Sequence, residues 1–312
     1  MSLLALMKGR RGKSGFGYAS TAEEVTEGID LSGRCALITG VNSGLGRETA
    51  RVLALRGAHI IGAARTIEKA RDACVRIGPH TTPVVCELSD PAAVRACVNE
   101  VKLLGRPIDM LICNAGIMAL PKLQQKYGIE LQFFTNHIGH FGLVTGLLDA
   151  LSDSGRVVVL SSYAHKIAPR EGIQFENLSG ESGYRKWRAY GQSKLANLLF
   201  AVELARRFAG TQRSANAVHP GVIRTDLNRH LGSIVNAVYA ITAPLFTKSV
   251  AQGAATSCYV ATSPQITGLN GKYFADCNLA KTSHHGKDAE MANRLWGVSE
   301  EILARASRNA AE

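Results

Sequence analysis

Tyr190 and Lys194 are the pair of residues with the clearest potential for chemistry, because they lie one turn apart on the same face of a predicted helix. An unperturbed phenol has a pKa of about 10, so it needs a nearby cation to act as an acid or a base near neutral pH. Lys194 would supply that cation. The spacing alone is a weak signal, and the pair therefore needs further residues beside it.

Two more polar residues support this pair, namely Asn136 and Ser162. Ser162 follows a predicted strand directly, and all four residues are expected at or beyond the carboxyl ends of strands in one sheet. A ligand crevice opens at that edge of a parallel sheet. The four side chains together predict a site for acid–base chemistry near neutral pH.

A glycine-rich turn follows the first predicted strand and leads directly into a helix. Its residues are Gly40, Val41, Asn42, Ser43, Gly44, Leu45 and Gly46. Glycines here allow a tight turn, let backbone N–H groups approach a pyrophosphate and leave room for close packing of the helix on the strand. The turn therefore predicts a dinucleotide site.

Arg65 indicates which dinucleotide is used. Where an NAD site places an acidic group after the second strand, this chain has Ala64, Arg65 and Thr66. A guanidinium can pair with a ribose 2′-phosphate through two hydrogen bonds, and Arg47 on the first helix is a second candidate for that phosphate. We therefore predict NADP(H) as the cofactor; the alternative for Arg65 is a solvated side chain at a strand end.

The elements that must position these residues alternate along the chain from about residue 30. Apolar runs of strand length lie at 35–39, 58–63, 83–87, 108–113, 156–160 and 216–219, and helix-length segments include 46–56, 91–104, 128–151 and 190–208. This alternation predicts an α/β fold. We expect a doubly wound parallel sheet, the Rossmann fold, with helices on both faces and in a single domain.

The chain is expected to divide into an arm and a domain. Residues 1–29 would form a flexible or targeting arm and residues 30–312 the dinucleotide-binding domain, in which the segment 226–263 covers the substrate crevice. The first 22 residues contain basic but no acidic side chains, which suits targeting or an anionic membrane surface. The longest apolar stretch, 233–246, is shorter than the roughly 20 residues of a spanning helix, so at most peripheral membrane contact is predicted.

Composition excludes several classes of protein. The 312 residues are 46% hydrophobic and 20% charged, which rules out a disordered or fibrous chain. The net charge of +11 would suit nucleic acid, anionic lipid or a phosphorylated ligand, but the chain lacks the aromatic and basic clusters typical of nucleic-acid binding. The seven cysteines contain no CxxC pair and lie mostly in apolar runs, so we expect reduced thiols in the core.

Taken in chain order, these motifs resemble the short-chain dehydrogenase/reductase family. They are TGxxxGxG at 39–46, CNAG at 113–116, NHIGHF at 136–141, SS at 161–162, YxxxK at 190–194 and HPG at 219–221. NHIGHF, SKLAN at 193–197 and QGAA at 252–255 are similar to the retinol-dehydrogenase-like branch. SGFG at 14–17 and STAEEV at 20–25 resemble the plant and algal members associated with the protein-import translocon of the chloroplast inner envelope.

The resemblance implies a role for each catalytic candidate. Tyr190 would donate or accept the proton, Lys194 would hold the nicotinamide ribose and Ser162 the substrate oxygen. Asn136 would hold a water that relays to Lys194. Besides the glycine-rich turn, Tyr190, Lys194 and Arg65, the implied cofactor contacts are Glu87, Leu88, Asn114, Ala115, Gly116, Thr135, Val222 and Thr225.

The sequence departs from the family pattern at three places. Cys113 replaces the Asn that usually opens NNAG, and Glu87 stands where the branch usually has Asp beside the adenine. Residues 164–186 form an insertion between Ser162 and Tyr190, which is expected to contribute to the substrate rim. The substrate identity of the family therefore does not transfer to this chain.

The function implied is an NADPH-dependent oxidoreductase that transfers hydride between nicotinamide and a lipophilic carbonyl or alcohol. The alternative is an NADPH-sensing regulatory subunit of a chloroplast protein-import complex. The resemblance places the protein in the chloroplast, peripheral at the inner envelope, with the cytoplasm as the alternative.

Two further features have competing interpretations. The basic, amphipathic stretch 293–305 with Trp296 could bind a calmodulin-like partner or pack on the domain as a terminal helix. His137 and His140 lie three residues apart, but no carboxylate or cysteine joins them at ligand spacing, so no metal site is expected.

Overall fold

The computed structural model describes residues 11–223 and 247–309, and its centre is one eight-stranded sheet. The strands are β1 (Cys35–Thr39), β2 (His59–Ala64), β3 (Thr81–Val85), β4 (Ile108–Cys113), β5 (Leu151–Leu160), β6 (Ser214–His219), β7 (Tyr273–Ala275) and β8 (Asn278–Leu279). Their order across the sheet is β8-β7-β6-β5-β4-β1-β2-β3. All neighbours are parallel except β8, which runs antiparallel to β7 at the edge.

Helices cover both faces of this sheet. They are α1 (Gly44–Leu55), α2 (Ile67–Ile77), α3 (Pro91–Leu103), α4, α5 (Lys186–Arg207), α6 (Val250–Thr262) and α7 (Ala289–Asn309). Helix α4 is one helical run with a π-helical middle: Leu131–Phe133, Phe134–Ile138 and Gly139–Gly146. A two-stranded hairpin, Gln125–Lys126 with Ile129–Glu130, precedes α4.

The residues of β1 show why its sequence is continuously apolar. Cys35 and Leu37 pack in one core cluster with residues of α3, α4 and α5, whereas Ala36 and Ile38 pack in the other with residues of α1 and α6. Side chains alternate across a strand, so a strand covered on both faces is apolar at nearly every position, and in β1 only the last residue, Thr39, is polar. The chain thus folds as a doubly wound α/β sheet with helices on both faces, and this prediction is confirmed.

The predicted helix over 128–151 is wrong at both ends. Residues 129–130 belong to the hairpin, the helix spans 131–146, and residue 151 already begins β5. The reason is that the helix is buried on nearly all sides, its polar residues included, so hydrophobic periodicity does not show where it begins or ends. The short edge strands β7 and β8 were not predicted from the sequence.

Residues 14–26, which we call the N-terminal strap, lie against the domain within the part predicted as an arm. The amide of Ala22 donates to the carbonyl oxygen of Ala251 at 2.9 Å, and the ring of Phe16 packs edge-on against Tyr259 at 5.9 Å between centroids. Tyr18, Ala22 and Val25 are buried. The strap is therefore part of the packed structure, while residues 1–10 lie outside the described residues.

The segment predicted to cover the substrate crevice, 226–263, lies only partly in the described residues. Residues 226–246 fall outside them. Residues 250–262 form α6, whose middle is buried against the sheet and α1. The described part of this segment therefore contributes to the core.

The C-terminal helix α7 packs on α5 through Trp296, which is 5% exposed. Its ring contacts Phe141 and Phe200, and its indole N–H donates to Glu300 at 2.7 Å. Of the two interpretations of the stretch 293–305, the structure therefore agrees with a terminal helix that packs on the domain. All seven cysteines are buried free thiols, as the sequence predicts. Within residues 11–223 and 247–309, no helix has the length and apolarity to cross a bilayer.

Candidate active site

The site lies at the carboxyl edge of the sheet, where β1 and β4 end side by side. The side-chain amide of Asn114 donates to the carbonyl oxygen of Thr39 at 2.8 Å, and the backbone amides of Asn114 and Ala115 donate to the Thr39 hydroxyl. The strand order reverses between β1 and β4, which in open α/β sheets is where ligands bind. These bonds fix the floor of a crevice at that point.

The glycine-rich turn is built so that side chains are excluded from it. Gly40 has a φ of +75°, and a Cβ on Gly46 would lie 2.3 Å from the carbonyl oxygen of Gly40 and 2.5 Å from Nδ2 of Asn114. Ser43 precedes α1 without a side-chain cap, so the first amides of that helix are open to an anion. This cradle fits the pyrophosphate of a dinucleotide.

Asn136 ties the loop after β4 to α5. Its side-chain amide donates to the carbonyl oxygen of Ile117 at 2.9 Å and to the hydroxyl of Ser193 at 3.0 Å, and its Oδ1 accepts from the amide of Ile117 at 2.8 Å. Its residue lies in the π-helical part of α4. The polar atoms of the Asn136 side chain are thus all bonded to protein partners. Asn136 and Lys194 both lie close to Gly116, where a Cβ would be 3.0 Å from Oδ1 of Asn136 and 3.6 Å from Nζ of Lys194.

His140 connects Asn136 to the end of β1. Because a carbonyl can only accept, His140 Nδ1 donates to the carbonyl oxygen of Asn136 at 2.9 Å, and Nε2 accepts from the Thr39 hydroxyl at 2.9 Å. The imidazole is therefore neutral. Burial lowers its pKa to about 4, in agreement with this tautomer.

Tyr190 and Ser162 meet at the mouth of the crevice. Ser162 follows β5, and its hydroxyl accepts from the amide of Ala164 at 3.1 Å and lies close enough to the Tyr190 phenol to affect its pKa. Burial raises the pKa of Tyr190 to about 12, and the Ser162 hydroxyl opposes this rise only in part. The sequence predicts that Lys194 brings the pKa of Tyr190 toward neutrality; in the structure burial dominates, so the phenol keeps its proton at neutral pH.

Lys194 is buried beside Tyr190, with Nζ 5.7 Å from the centroid of the tyrosine ring. Nζ donates to the carbonyl oxygen of Leu160, at the end of β5, at 3.0 Å. Burial lowers its pKa to about 8, so the side chain is mostly an ammonium at pH 7. Among the residues described, no carboxylate forms an ion pair with it, which leaves a cation ready for neutral oxygen acceptors.

The other predicted contacts that the structure describes follow strands or begin helices at the same edge of the sheet, and their exposures differ. Arg65 follows β2 and Arg47 lies in the first turn of α1, and both side chains are exposed. Glu87 follows β3, where its Oε1 accepts two hydrogen bonds from Ser89. Thr225 lies outside the described residues.

Leu88, Thr135 and Val222 complete the predicted set. The backbone of Leu88 packs against Gly139, where a Cβ would lie 2.2 Å from the Leu88 carbonyl oxygen. Within the described residues, the buried hydroxyl of Thr135 has no hydrogen-bond partner, which fits a ligand group at this point. Val222 is exposed beyond β6.

Sequence reasoning missed Asn197, Ser193 and Gly191 as parts of the site. Asn197 Nδ2 donates to the same Leu160 oxygen as Lys194, at 2.9 Å, and Ser193 accepts from Asn136. A Cβ on Gly191 would lie 2.7 Å from the carbonyl oxygen of Ala164, so only glycine lets α5 approach the loop after Ser162. The motif SKLAN at 193–197 could have indicated Ser193 and Asn197, because its polar residues lie among the apolar residues of a helix that is buried in the structure.

The histidine pair that could suggest a metal has other partners. His140 is bound as above, and His137 Nε2 donates to the hydroxyl of Ser299, which itself donates to the carbonyl oxygen of Leu295. In residues 11–223 and 247–309 there is no group of three or more His, Cys, Asp or Glu side chains arranged to hold a metal ion.

Comparison with known proteins gives a consistent result. Residues 34–235 match the model of the short chain dehydrogenase family, which is more than half of the chain. The chain is 42% identical to short-chain dehydrogenase TIC 32 B, chloroplastic, of Brassica napus, over 97% of this chain and 99% of the relative. It is 40% identical to retinol dehydrogenase 12 of Mus musculus, with 89% of each chain covered.

Solved structures show the same fold. A protein from Mycobacterium paratuberculosis superposes with a TM-score of 0.73 at 35% identity, covering 90% of this chain and 97% of that one. A short chain dehydrogenase from Burkholderia cenocepacia in complex with NADP has a TM-score of 0.62 at 25% identity, covering 78% and 96%.

Proposed function

This chain belongs to the short-chain dehydrogenase family, and on that premise we propose that it is an NADPH-dependent oxidoreductase that reduces a lipophilic carbonyl compound to the alcohol. The observation that carries the proposal is the joint placement of Tyr190, Ser162 and Lys194 at the mouth of the crevice beside the glycine-rich turn. A general oxidoreductase activity follows from the family. The cofactor, the direction and the substrate class are the parts we propose.

The residues divide the work of carbonyl reduction between them. When bound, the nicotinamide supplies the hydride that the carbonyl carbon receives. Tyr190, which holds its proton at neutral pH, donates that proton to the substrate oxygen, and Ser162 donates a hydrogen bond that orients the same oxygen. Lys194 offers its remaining ammonium N–H groups to hydroxyl oxygens of the cofactor and keeps a positive charge near the phenol.

The chain has positions that fit each part of the cofactor. The amides of the glycine-rich turn and of the α1 terminus would hold the pyrophosphate. Arg65, exposed at the end of β2, would pair with the 2′-phosphate, and Arg47 is close enough in the chain to the turn to assist. The NADP complex of the Burkholderia dehydrogenase supports this choice by fold likeness.

Apolar side chains at the mouth support a lipophilic substrate. Tyr163, Ile167, Trp187 and Val222 are large hydrophobic residues whose exposure ranges from 41% for Trp187 to 60% for Val222. The Trp187 ring packs edge-on against Tyr190 at 6.4 Å between centroids. An apolar substrate that covered these side chains would gain roughly 25 cal/mol for each Å² of apolar surface removed from water.

The test is an NADPH-oxidation screen over aliphatic, aromatic and isoprenoid aldehydes and quinones, repeated with NADH. With a substrate found, Tyr190→Phe should lower kcat at least 100-fold and leave the Kd for NADPH within threefold. Tyr184→Phe is the matched control, because burial raises the pKa of that phenol to about 12 as well, yet its hydroxyl bonds to the Leu120 carbonyl. Undiminished turnover in Tyr190→Phe would refute the assignment.

A second candidate function is a regulatory subunit that senses NADPH in a chloroplast protein-import complex. The observation that favours it is the 42% identity, over almost the full chain, to the chloroplastic Brassica relatives. We propose a chloroplast location, peripheral at the inner envelope, on the same ground. Pull-down from envelope membranes with Tyr190→Phe, with and without NADPH, separates the two functions, because a sensor changes its partner binding with NADPH even when catalysis is lost.

A calmodulin-like partner would have to bind α7, and the structure limits that option. Trp296 is buried under Arg207, whose guanidinium lies 3.8 Å from the ring centroid. A partner that wraps the apolar face of α7 would first have to detach the helix from α5. We therefore propose the catalytic function ahead of any partner that binds this helix.

A further inference from the structure

Lys248 is a buried lysine outside the catalytic group. Its side chain is 1% exposed, and its Nζ lies 2.6 Å from Oδ1 of Asp276, in the turn between β7 and β8. Nζ also lies 4.9 Å from the centroid of the Tyr18 ring, in the N-terminal strap. A buried ammonium is costly unless it is paired, so a carboxylate and an aromatic face on one lysine form a specific arrangement.

The backbone and stem of Lys248 hold Gly221–Ile223, which are separated from the end of β6 by one residue. The amide of Lys248 donates to the carbonyl oxygen of Val222 at 2.8 Å, and Lys248 pairs with Ile223 in a parallel β-bridge. Gly221 has a φ of +94°, and a Cβ there would lie 2.7 Å from Cδ of Lys248. We call Gly221–Ile223 the crevice wall.

The crevice wall is continuous with the glycine-rich turn. A Cβ on Gly253 of α6 would lie 2.5 Å from Cδ1 of Ile223 and 2.7 Å from Cδ2 of Leu45. The side chains of Ile223 and Leu45 therefore both pack against Gly253. A shift of the wall would be transmitted to the turn through this shared packing on Gly253.

Hydrogen bonds to the domain hold the N-terminal strap both before and after Tyr18 in the chain. The side-chain amide of Asn278 accepts from the amide of Ser14 at 3.1 Å and donates to the carbonyl oxygen of Phe16 at 3.0 Å. After Tyr18, Gln252 donates to the carbonyl oxygen of Ala19 at 3.2 Å. These bonds connect residues more than 230 positions apart in the chain, so the strap holds Tyr18 over Lys248 only in the folded domain.

We propose that Tyr18, Lys248 and Asp276 are positioning residues for NADPH binding, which act by holding the crevice wall against the glycine-rich turn. The N-terminal strap is then a working part of the cofactor site. This inference rests on the proposed function, since it needs the crevice to take a nicotinamide dinucleotide.

Isothermal titration with NADPH tests the inference, at a temperature where circular dichroism shows every variant folded. Lys248→Met keeps the length of the stem and removes the charge, and we expect it to raise the Kd at least tenfold while kcat at saturating NADPH falls less than threefold. Tyr18→Leu removes the ring and should raise the Kd at least threefold; it carries the test if Lys248→Met does not fold.

Arg56→Gln is the matched control. Arg56 holds the far end of the strap, donating to the Thr26 hydroxyl at 3.1 Å and to the carbonyl oxygen of Glu23 at 2.8 Å, away from the crevice wall. It should lower Tm and leave the Kd within twofold. A lowered Tm with an unchanged Kd in Lys248→Met and Tyr18→Leu would overturn the inference. Wild-type protein that binds neither NADPH nor NADH overturns the proposed function and the inference with it.

Discussion

Lys194 and Asn197 donate to the same acceptor, the carbonyl oxygen of Leu160 at the end of β5, at 3.0 and 2.9 Å. The two residues lie three apart on α5, so a single carbonyl fixes both the catalytic lysine and the turn of helix that carries it. The acceptor is neutral. Nothing in this contact offsets the burial of the ammonium as a carboxylate would, and burial therefore governs the lysine's pKa.

The first prediction concerns pH. Lys194 holds its proton below its pKa of about 8 and loses it above, so its ammonium is available for the cofactor only on the acid side. We expect the Kd for NADPH to rise about tenfold per pH unit above pH 8 in the wild type. In Lys194→Arg the rise in the Kd should begin only above pH 10, since a guanidinium stays charged. A Kd that changes alike with pH in both proteins would contradict the assignment.

The second prediction concerns the glycine-rich turn. Gly46→Ala places a methyl group 2.3 Å from the carbonyl oxygen of Gly40, so the turn and α1 must separate. We expect a loss of about 1–3 kcal/mol in the free energy of unfolding and a rise of more than tenfold in the Kd for NADPH. Gly297→Ala on α7 is the control: nothing lies within 4 Å of its new Cβ, and helix propensity should stabilise the protein by about 0.5–1 kcal/mol. Urea unfolding and titration measure both effects.

Local features of this site could be predicted from sequence because neighbouring residues encode them. The glycine-rich turn follows its strand directly, and Tyr190 and Lys194 share one helix face whatever the rest of the chain does. The alternation of strands and helices likewise predicts the doubly wound sheet.

The remaining contacts depend on pairs of residues far apart in the chain. The Thr39–His140 hydrogen bond joins residues 101 positions apart, and the Asn278–Phe16 bond joins residues 262 apart. No periodicity or spacing indicates such partners. The bounds predicted for the helix over 128–151 were wrong because that helix is buried on nearly all sides. It therefore has no exposed polar face whose periodicity would show where the helix begins and ends.

The third prediction concerns cofactor choice. Arg65→Asp should shift preference from NADPH toward NADH, because the carboxylate repels a 2′-phosphate and accepts a hydrogen bond from a 2′-hydroxyl. Arg71→Asp is the control, as it makes the same change of charge at another exposed position, on α2. The ratio of kcat/KM for the two cofactors measures the shift. An unchanged ratio in Arg65→Asp would exclude Arg65 as the phosphate ligand, and Arg47→Gln would then be measured.

The fourth prediction concerns acid stability, which should fall as the pH drops below 6.5. Burial lowers the pKa of His140 to about 4 and that of His137 to about 3, whereas both are near 6.5 in the unfolded chain. The unfolded state therefore binds these protons first, and each histidine should lower the free energy of unfolding by about 1.4 kcal/mol per pH unit between pH 6 and 4.5.

The variant His137→Phe isolates the contribution of His137 to this pH dependence. His137 is packed among Phe133, Phe141 and Phe200, and Ser299 keeps its bond to the Leu295 carbonyl without it. Urea unfolding at pH 7, 6, 5.5 and 4.5 should give this variant a pH slope smaller by about that amount, while Gly297→Ala, which changes no titratable group, keeps the wild-type slope. Equal slopes in all three proteins would mean that His137 is not neutral in the folded state.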